Sequence, residues 1–334
     1  MRAHSTVGLL WPSGCLSWFV HAIGSDRWSM SFMPPASTGA LVPELGRRRS
    51  HRAAERLSPS MNIDGDETGA MFDLHTHHER CGHAEGTLRQ MIEAAIEAGL
   101  DTIGLSDHSP FFGEAVDHFK PWVAMAKSEF PRYIAEAIAL RDEYRDRITV
   151  LVGVESDFFD EHCELYRQVY RRYPLDYIIG SVHVLGERDI FDPARWIGAD
   201  LLEEKEKYCA AVGRSARSGL FDILGHIDAI KGNRPEIAAI RTPAVDRMLR
   251  DIAESDVVIE VNTSGKTKPV GGWYPAPDIL ERAAYYGVKV TFGSDAHRPD
   301  RIGEEFEAVR NHLHDLGYRE WYVFRDRVRQ RRAL

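Results

Sequence analysis

The sequence predicts an α/β fold, a barrel of parallel strands with seven βα repeats, and three observations carry that prediction. From Met71 onward, short runs of β-forming residues alternate with segments whose apolar residues recur every three and four positions. Seven such runs fall within the 264 residues of 71–334, a length suited to one TIM-type barrel short by one strand. No Gly-x-Gly-x-x-Gly follows the first run, which removes most of the support for the runner-up, an open doubly wound sheet.

In order, strands are expected over 71–75, 102–105, 149–154, 176–180, 222–224, 257–261 and 289–292. Between them, the spacing predicts helices over 87–98, 131–144, 201–217, 243–254 and 277–286. Pro243 and Pro277 stand where a first-turn proline is tolerated, and Gly99 and Gly287 where a helix end needs a left-handed residue.

The first 60 residues differ in texture. They hold seven Arg, no Lys and three acids, for a net charge of +4, whereas the remainder holds 35 basic against 48 acidic side chains, for −13. Interrupted by Pro12, Gly14, Pro34, Pro35, Gly39, Pro43 and Pro59, residues 1–70 read as a poorly ordered extension or an over-extended reading frame, with Met61 and Met71 as alternative starts. An Arg-bearing, acid-poor start also suits a targeting segment. The apolar stretch 7–23 is too interrupted to span a bilayer, so no membrane association is expected. The acidic body excludes a general nucleic-acid binder, which needs clustered cations. Cys15, Cys81, Cys163 and Cys209 are too scattered for a structural zinc site and suit reduced thiols in the cytoplasm.

In a parallel α/β barrel the chemistry gathers at the C-terminal ends of the strands. Read there, the runs give Asp73-Leu74-His75-Thr76-His77 with His83, Ser106-Asp107-His108, Gly153-Val154-Glu155, Ser181-Val182-His183, Gly225-His226-Ile227-Asp228 and Ser294-Asp295-Ala296-His297. Only the sixth run, ending Asn262-Thr263-Ser264-Gly265, lacks a His or an acid. One His after a strand is ordinarily a hydrogen-bonded structural residue, but six of seven strand ends carrying imidazole or carboxylate on one rim form a ligand set. The nine candidates are His75, His77, His83, His108, Glu155, His183, His226, Asp295 and His297. His78, His118, His162, His312 and His314 read as surface residues. Nine donors exceed the needs of one ion, so two to three divalent ions are expected, and imidazole and carboxylate without thiolate favour Zn, Mn or Fe. Paired ions serve in-line displacement at phosphorus.

These motifs resemble the polymerase and histidinol phosphatase (PHP) superfamily, and Cys81-Gly82-His83-Ala84, Lys268-Pro269-Val270 and Tyr274-Pro275 resemble its monofunctional histidinol-phosphatase branch. The resemblance runs from residue 71 to about 315. It implies a distorted (β/α)7 barrel with a trinuclear metal centre. His75, His77, Glu155 and Asp295 would hold one ion, Glu155, His183 and His226 the second, and His83, His108 and His297 the third. It also implies hydrolysis of L-histidinol phosphate to L-histidinol and phosphate, with Glu155, Asp295 and His297 nearest the chemistry, and no role for His78 or Arg80.

With an acidic body, a small phosphomonoester must be held locally. Arg188, Lys231, Lys266, Lys268 and Arg298 follow strand ends and are the expected phosphate contacts, Lys268 foremost; Arg234 is a further candidate. Trp273 and Tyr274 offer rings for stacking. The competing readings are another PHP phosphoesterase acting on nucleotides or other small phosphomonoesters, and a non-catalytic metal-stabilised module, which the complete ligand set disfavours. Oligomeric state has no signature in these residues.

Overall fold

The computed structural model describes residues 70–334, so the extension expected over 1–70 lies, but for its last residue, outside the described residues. All seven expected strands are present. β1 (Phe72–Asp73), β2 (Thr102–Leu105) and β3 (Thr149–Val152) form one parallel sheet in that order. β4 (Glu155–Asp157) and β5 (Ile179–Ser181) open a second sheet. A small hairpin of β6 (Val184–Leu185) and β7 (Arg188–Asp189) follows. β8 (Ile223–Leu224), β9 (Val258–Asn262) and β10 (Lys289–Gly293) complete the second sheet, in the parallel order β4-β5-β8-β9-β10.

Isolated parallel bridges join the two sheets, His108 with Glu155 and Thr76 with Ala296. Beside the second bridge, Leu74 N donates to Phe292 O at 3.2 Å and His77 N to Ala296 O at 2.9 Å. The strands therefore follow a distorted barrel path with two thinly laddered seams.

The third run, expected over 149–154, ends at Val152, and β4, which was not expected, begins at Glu155 after a break at residues 153 and 154. Tyr177 occupies the space a side chain at Gly153 would need: a Cβ there would lie 2.4 Å from its ring. The Tyr133 hydroxyl, 2.8 Å from the carbonyl oxygens of both Leu105 and Gly153, holds the same break from the other side. The chain passes here from one sheet to the next, and Glu155 enters paired with β5.

The helices are α1 (Leu88–Glu97), α2 (Phe130–Tyr144), α3 (Cys163–Tyr170), α4 (Leu201–Arg217), α5 (Glu236–Ala239), α6 (Ala244–Glu254), α7 (Pro277–Tyr285) and α8 (Phe306–Asp315). A capping box opens α1, Thr87 accepting from Gln90 N while Gln90 accepts from Thr87 N. Gly99 ends that helix at φ +80°. Apolar faces such as Met91, Ile92 and Ala95 pack into the same core as Val150, Val152, Ile179, Val258, Ile259 and Phe292 of the strands. Each large side chain so buried contributes roughly 1.5–3 kcal/mol.

A C-terminal hairpin, β11 (Glu320–Arg325) with β12 (Val328–Ala333), was not expected. Its Trp321 is buried edge-on against Phe72, with ring centroids 4.7 Å apart, and so locks the hairpin to the start of β1. Among the described residues no helix is long and apolar enough to cross a membrane. Cys81, Cys163 and Cys209 are free thiols.

Candidate metal centre

The nine candidate ligands converge because the strand ends are tied together by buried polar bonds. At the end of β1, Asp73 Oδ1 accepts from His75 N at 3.2 Å and Ser294 N at 2.9 Å, and Oδ2 accepts from Gly303 N at 2.9 Å. This carboxylate draws the segment after β10 against the segment after β1, so that Asp295 and His297 meet His75 and His77. His77 Nε2 lies 3.0 Å from Asp295 Oδ1. Asp295 adopts φ +54°, a left-handed conformation that costs a non-glycine residue about 1–3 kcal/mol, as functional sites often require.

Glu155 is the hub. Its Oε2 is 2.8 Å from His108 Nδ1, 3.4 Å from His75 Nε2 and 3.5 Å from His77 Nε2. Its Oε1 accepts from Ser181 Oγ at 2.6 Å and lies 3.0 Å from His226 Nε2 and 3.5 Å from His183 Nε2. At the rim, His83 Nε2 and His297 Nε2 are 2.9 Å apart. Among the described residues five groups bring three donor atoms within 4.8 Å of one another: His75 with His77 and Glu155, His108 with Glu155 and His183, His75 with His226 and Asp295, His77 with His108 and His297, and His77 with Cys81 and Asp107.

The donor set fits divalent ions. His75 Nε2, His77 Nε2, His226 Nδ1 and Glu155 Oε2 are buried without a hydrogen-bond partner. A buried polar atom left unpaired costs about 1–3 kcal/mol, so orphans clustered in this way mark lone pairs held for a ligand. Electrostatics agrees. Burial pulls His75 down, but Glu260, Asp295 and Glu155 hold it well above the usual histidine range. Against burial, Asp107 and Asp295 raise His77 to about 9, and Asp157 and Glu155 raise His183 to about 10. Burial would raise Glu155, yet His108, His75 and His183 hold it well below the ordinary carboxylate value. Burial, with His108 and His77 nearby, lowers His83 to about 4. The centre is thus a dense array of anions whose imidazole partners carry exchangeable protons.

A cleft of about 550 Å³ opens onto this array and is lined by His83, His108, Glu155, His183, His226, Asp295 and His297, with His75 and His77 buried beside them. A family model described as PHP domain matches residues 73–264. The chain belongs to the PHP domain family. Over 265 residues this PHP chain is 36% identical to the probable histidinol-phosphatase of Deinococcus radiodurans, covering 78% of this chain and 98% of that protein. It is 28% identical over 260 residues to the histidinol-phosphatase of Bacillus subtilis, covering 71% and 97% respectively. The crystal structure of histidinol phosphate phosphatase from Lactococcus lactis, complexed with zinc, L-histidinol and phosphate, aligns with a TM-score of 0.65 at 21% identity, over 78% of this chain and 98% of that one. The two share a fold.

Of the expected phosphate contacts, the PHP barrel brings Lys268 and Arg298 to the cleft. Lys268 Nζ sits 5.4 Å from the centre of the Phe191 ring, while Arg298 pairs with Asp300 at 3.0 Å. The other three are placed elsewhere. Lys266 pairs with Glu305 at 3.0 Å, and Arg188 donates to Ala194 O at 3.1 Å on the exposed hairpin. Lys231 is buried, bonded to Asp228 at 2.6 Å and to Trp273 O at 2.8 Å, so its ammonium braces the loop instead of facing substrate. Arg234, the further candidate, stands 3.5 Å from Glu236. Tyr274 lines the cleft; Trp273 donates its indole N–H to Glu305 and is not among the lining residues.

His78 was expected at the surface and is instead buried, its Nδ1 2.7 Å from Asp107 Oδ2 and its ring packed on Tyr133. Asp107 Oδ1 lies 3.2 Å from His77 Nδ1, and Asp157 Oδ1 likewise 3.2 Å from His183 Nδ1. Glu260, inside β9, went unnoticed at the sequence level; its Oε2 lies 2.8 Å from His75 Nδ1. An acid between Ile259 and Val261, on the same strand face as Asn262, was the available signal.

Proposed function

We propose that this chain is a histidinol-phosphatase, hydrolysing L-histidinol phosphate to L-histidinol and inorganic phosphate with the help of two to three divalent ions. One observation carries the reading: imidazoles and carboxylates from six strand ends surround a single cleft, with buried lone pairs left unpaired. The names of the relatives support the substrate, and the zinc, L-histidinol and phosphate of the L. lactis enzyme support both metal and ester.

In this reading His75, His77, Glu155 and Asp295 hold one ion, Glu155 with His183 and His226 a second, and His83, His108 and His297 a third. The contacts to the two Glu155 oxygens favour the first two groupings, since His75 and His77 face Oε2 while His183 and His226 face Oε1. Zinc, manganese or iron suits a donor set without thiolate. Bound ions lower the pKa of water and neutralise charge on phosphoryl oxygens, which a monoester needs because its uncatalysed hydrolysis is among the slowest known.

The chain's own groups do the rest. Lys268, which makes no ion pair among the described residues, and Arg298 add positive charge beside the phosphate. Asp189 and Phe191 line the opposite needs of the substrate, a carboxylate for its ammonium and a ring face for its imidazole. Asp295, whose Oδ2 accepts from Ser264 Oγ at 2.9 Å, and His297 would take the proton of the attacking water and supply the one the departing alkoxide needs. The soluble barrel over 71–334 is the unit to which this activity is assigned.

Turnover against a panel of phosphomonoesters tests the reading. Histidinol phosphate is expected to exceed glycerol phosphate and nucleoside monophosphates by about 10² or more in kcat/KM, because polar groups built for the amine and imidazole are left unpaired by the others. Equal rates across the panel would favour a broader phosphomonoesterase, and turnover that survives exhaustive chelation would end the metal reading.

A further inference from the structure

Glu260 is fully buried, and both of its acceptor-only oxygens meet nitrogen donors. Oε2 lies 2.8 Å from His75 Nδ1, while Oε1 accepts from His226 N at 2.8 Å and from Asn262 Nδ2 at 2.7 Å. It thereby touches segments that carry ligands after β1 and β8 and, through Asn262, reaches Asp295 Oδ2 at 3.3 Å. Space is kept for it: a Cβ at Gly293 would lie 2.5 Å from Glu260 Oε2 and 2.6 Å from His75 Cβ. The other nitrogen of His75 points away, unpaired, toward Glu155 Oε2 at 3.4 Å and Asp295 Oδ1 at 3.8 Å.

We propose that Glu260 is the positioning residue of the centre: it holds a proton on His75 Nδ1, so that Nε2 is the nitrogen whose lone pair an ion meets. The inference rests on the metal reading above. A neutral imidazole has one N–H, and the partner of one nitrogen decides which face can bind metal. A carboxylate cannot donate, so Oε2 admits only Nδ1–H. Glu260→Gln keeps the shape and removes this rule. Two N–H donors already converge on Oε1, so the amide oxygen of Gln belongs there, and its NH2 turns toward His75. Nδ1 must then accept, the ring proton moves to Nε2, and the lone pair aimed at the ion is lost. The same substitution also withdraws a negative charge that strengthens His75 as a donor.

The experiment is zinc binding by the full chain, measured by competition with a chromophoric chelator, with zinc per chain counted after dialysis. Glu260→Gln is expected to weaken one equivalent by about 10–100-fold, the usual effect of removing the partner of a metal-ligating His, while the others stay near wild type. Circular dichroism and melting of the metal-free proteins establish that the variant is folded. A folded variant whose every equivalent stays within about threefold of wild type overturns the role of Glu260 alone. Failure of the wild-type chain to take up zinc overturns the metal reading, and this proposal with it. Long-range ¹H–¹⁵N correlation of the zinc-loaded wild type, with the His75 signal identified by its loss in His75→Asn, reads the tautomer directly and decides the matter if the variant does not fold. Nδ1–H is expected, and a proton on Nε2 refutes the proposal.

Discussion

Replacing His78 by alanine separates a surface histidine from a buried one. The ring is 1% exposed, Arg80 lies 3.1 Å from Nε2, and Nδ1 faces Asp107 Oδ2 at 2.7 Å. Asp107 is itself buried; burial would raise its carboxyl, but His78 and His77 hold it well below the ordinary value. His78→Ala leaves that carboxylate with His77 and the His108 amide at 2.9 Å, so it is only partly compensated. Removing the donor of a buried carboxylate oxygen costs about 1–3 kcal/mol, more when the group is charged, and the burial of Asp107 places this case near 3. In a barrel of this size that is a fall in Tm of about 6–12 °C. Urea unfolding of the metal-free proteins supplies the measurement, with His314→Ala, an exposed position, as the control expected within about 0.5 kcal/mol of wild type. If His78→Ala matched that control, the argument that Asp107 needs two imidazoles would be refuted.

Glu155→Gln should strip more than one ion, since the carboxylate faces five imidazoles, and should remove most turnover; metal counting and kinetics check it together. Zinc uptake at pH 7 should release protons, because His77 and His183, raised to about 9 and about 10, are protonated in the metal-free site. Calorimetry in buffers of different ionisation enthalpy counts them. The sign for stability is opposite in the metal-free chain: the contribution of these raised groups is complete below the ordinary histidine pKa near 6.5 and is lost as pH rises through 9 and 10. Lys268→Ala should raise KM with little change in Tm, whereas Lys231→Ala should cost about 3 kcal/mol of stability by taking the cation from buried Asp228, which keeps the Ala276 amide at 2.9 Å.

What was legible in the sequence follows from what a strand end makes local. Seven strands were found because β-forming runs and helical spacing alternate cleanly, and nine donors meet around one cleft because each stands just beyond a strand's last apolar residue. Residues whose role depends on a neighbour from elsewhere were hidden. His78 reads as a surface residue, yet the ring of Tyr133 from α2 covers it. Glu260 lies two residues inside β9, short of the strand end where the other ligand-bearing segments begin. Lys231 reads as a phosphate contact until the carboxylate of Asp228 is seen beneath it. The C-terminal hairpin escaped notice because its turn, Asp326 and Arg327 at φ +51° and +62°, uses no glycine or asparagine.

The two seams of the barrel and the metal centre are the same feature seen twice. Regular ladders hold β1 to β3 and β4 to β10, whereas each junction is joined by an isolated bridge, His108 with Glu155 or Thr76 with Ala296, and by a few flanking backbone hydrogen bonds such as Ile179 N to Val154 O and His77 N to Ala296 O, both at 2.9 Å. The residues at these joints either are candidate ligands or sit between them. Side chains add to these backbone bonds across the seams: His108 meets Glu155 at one, and His77 meets Asp295 at the other. Without ions, that contact sets anionic oxygens against imidazoles with unpaired nitrogens, which is poor cohesion for the cost of burying them. With ions, the same donors would close both seams at once, so that metal affinity becomes folding free energy. A fold that leaves its sheet incomplete where its ligands stand thus couples the reactive centre to the integrity of the barrel, and it explains why the carboxylates Asp73, Asp107, Asp157 and Glu260 are spent on orienting ligand segments: each holds a strand end that the sheet alone does not.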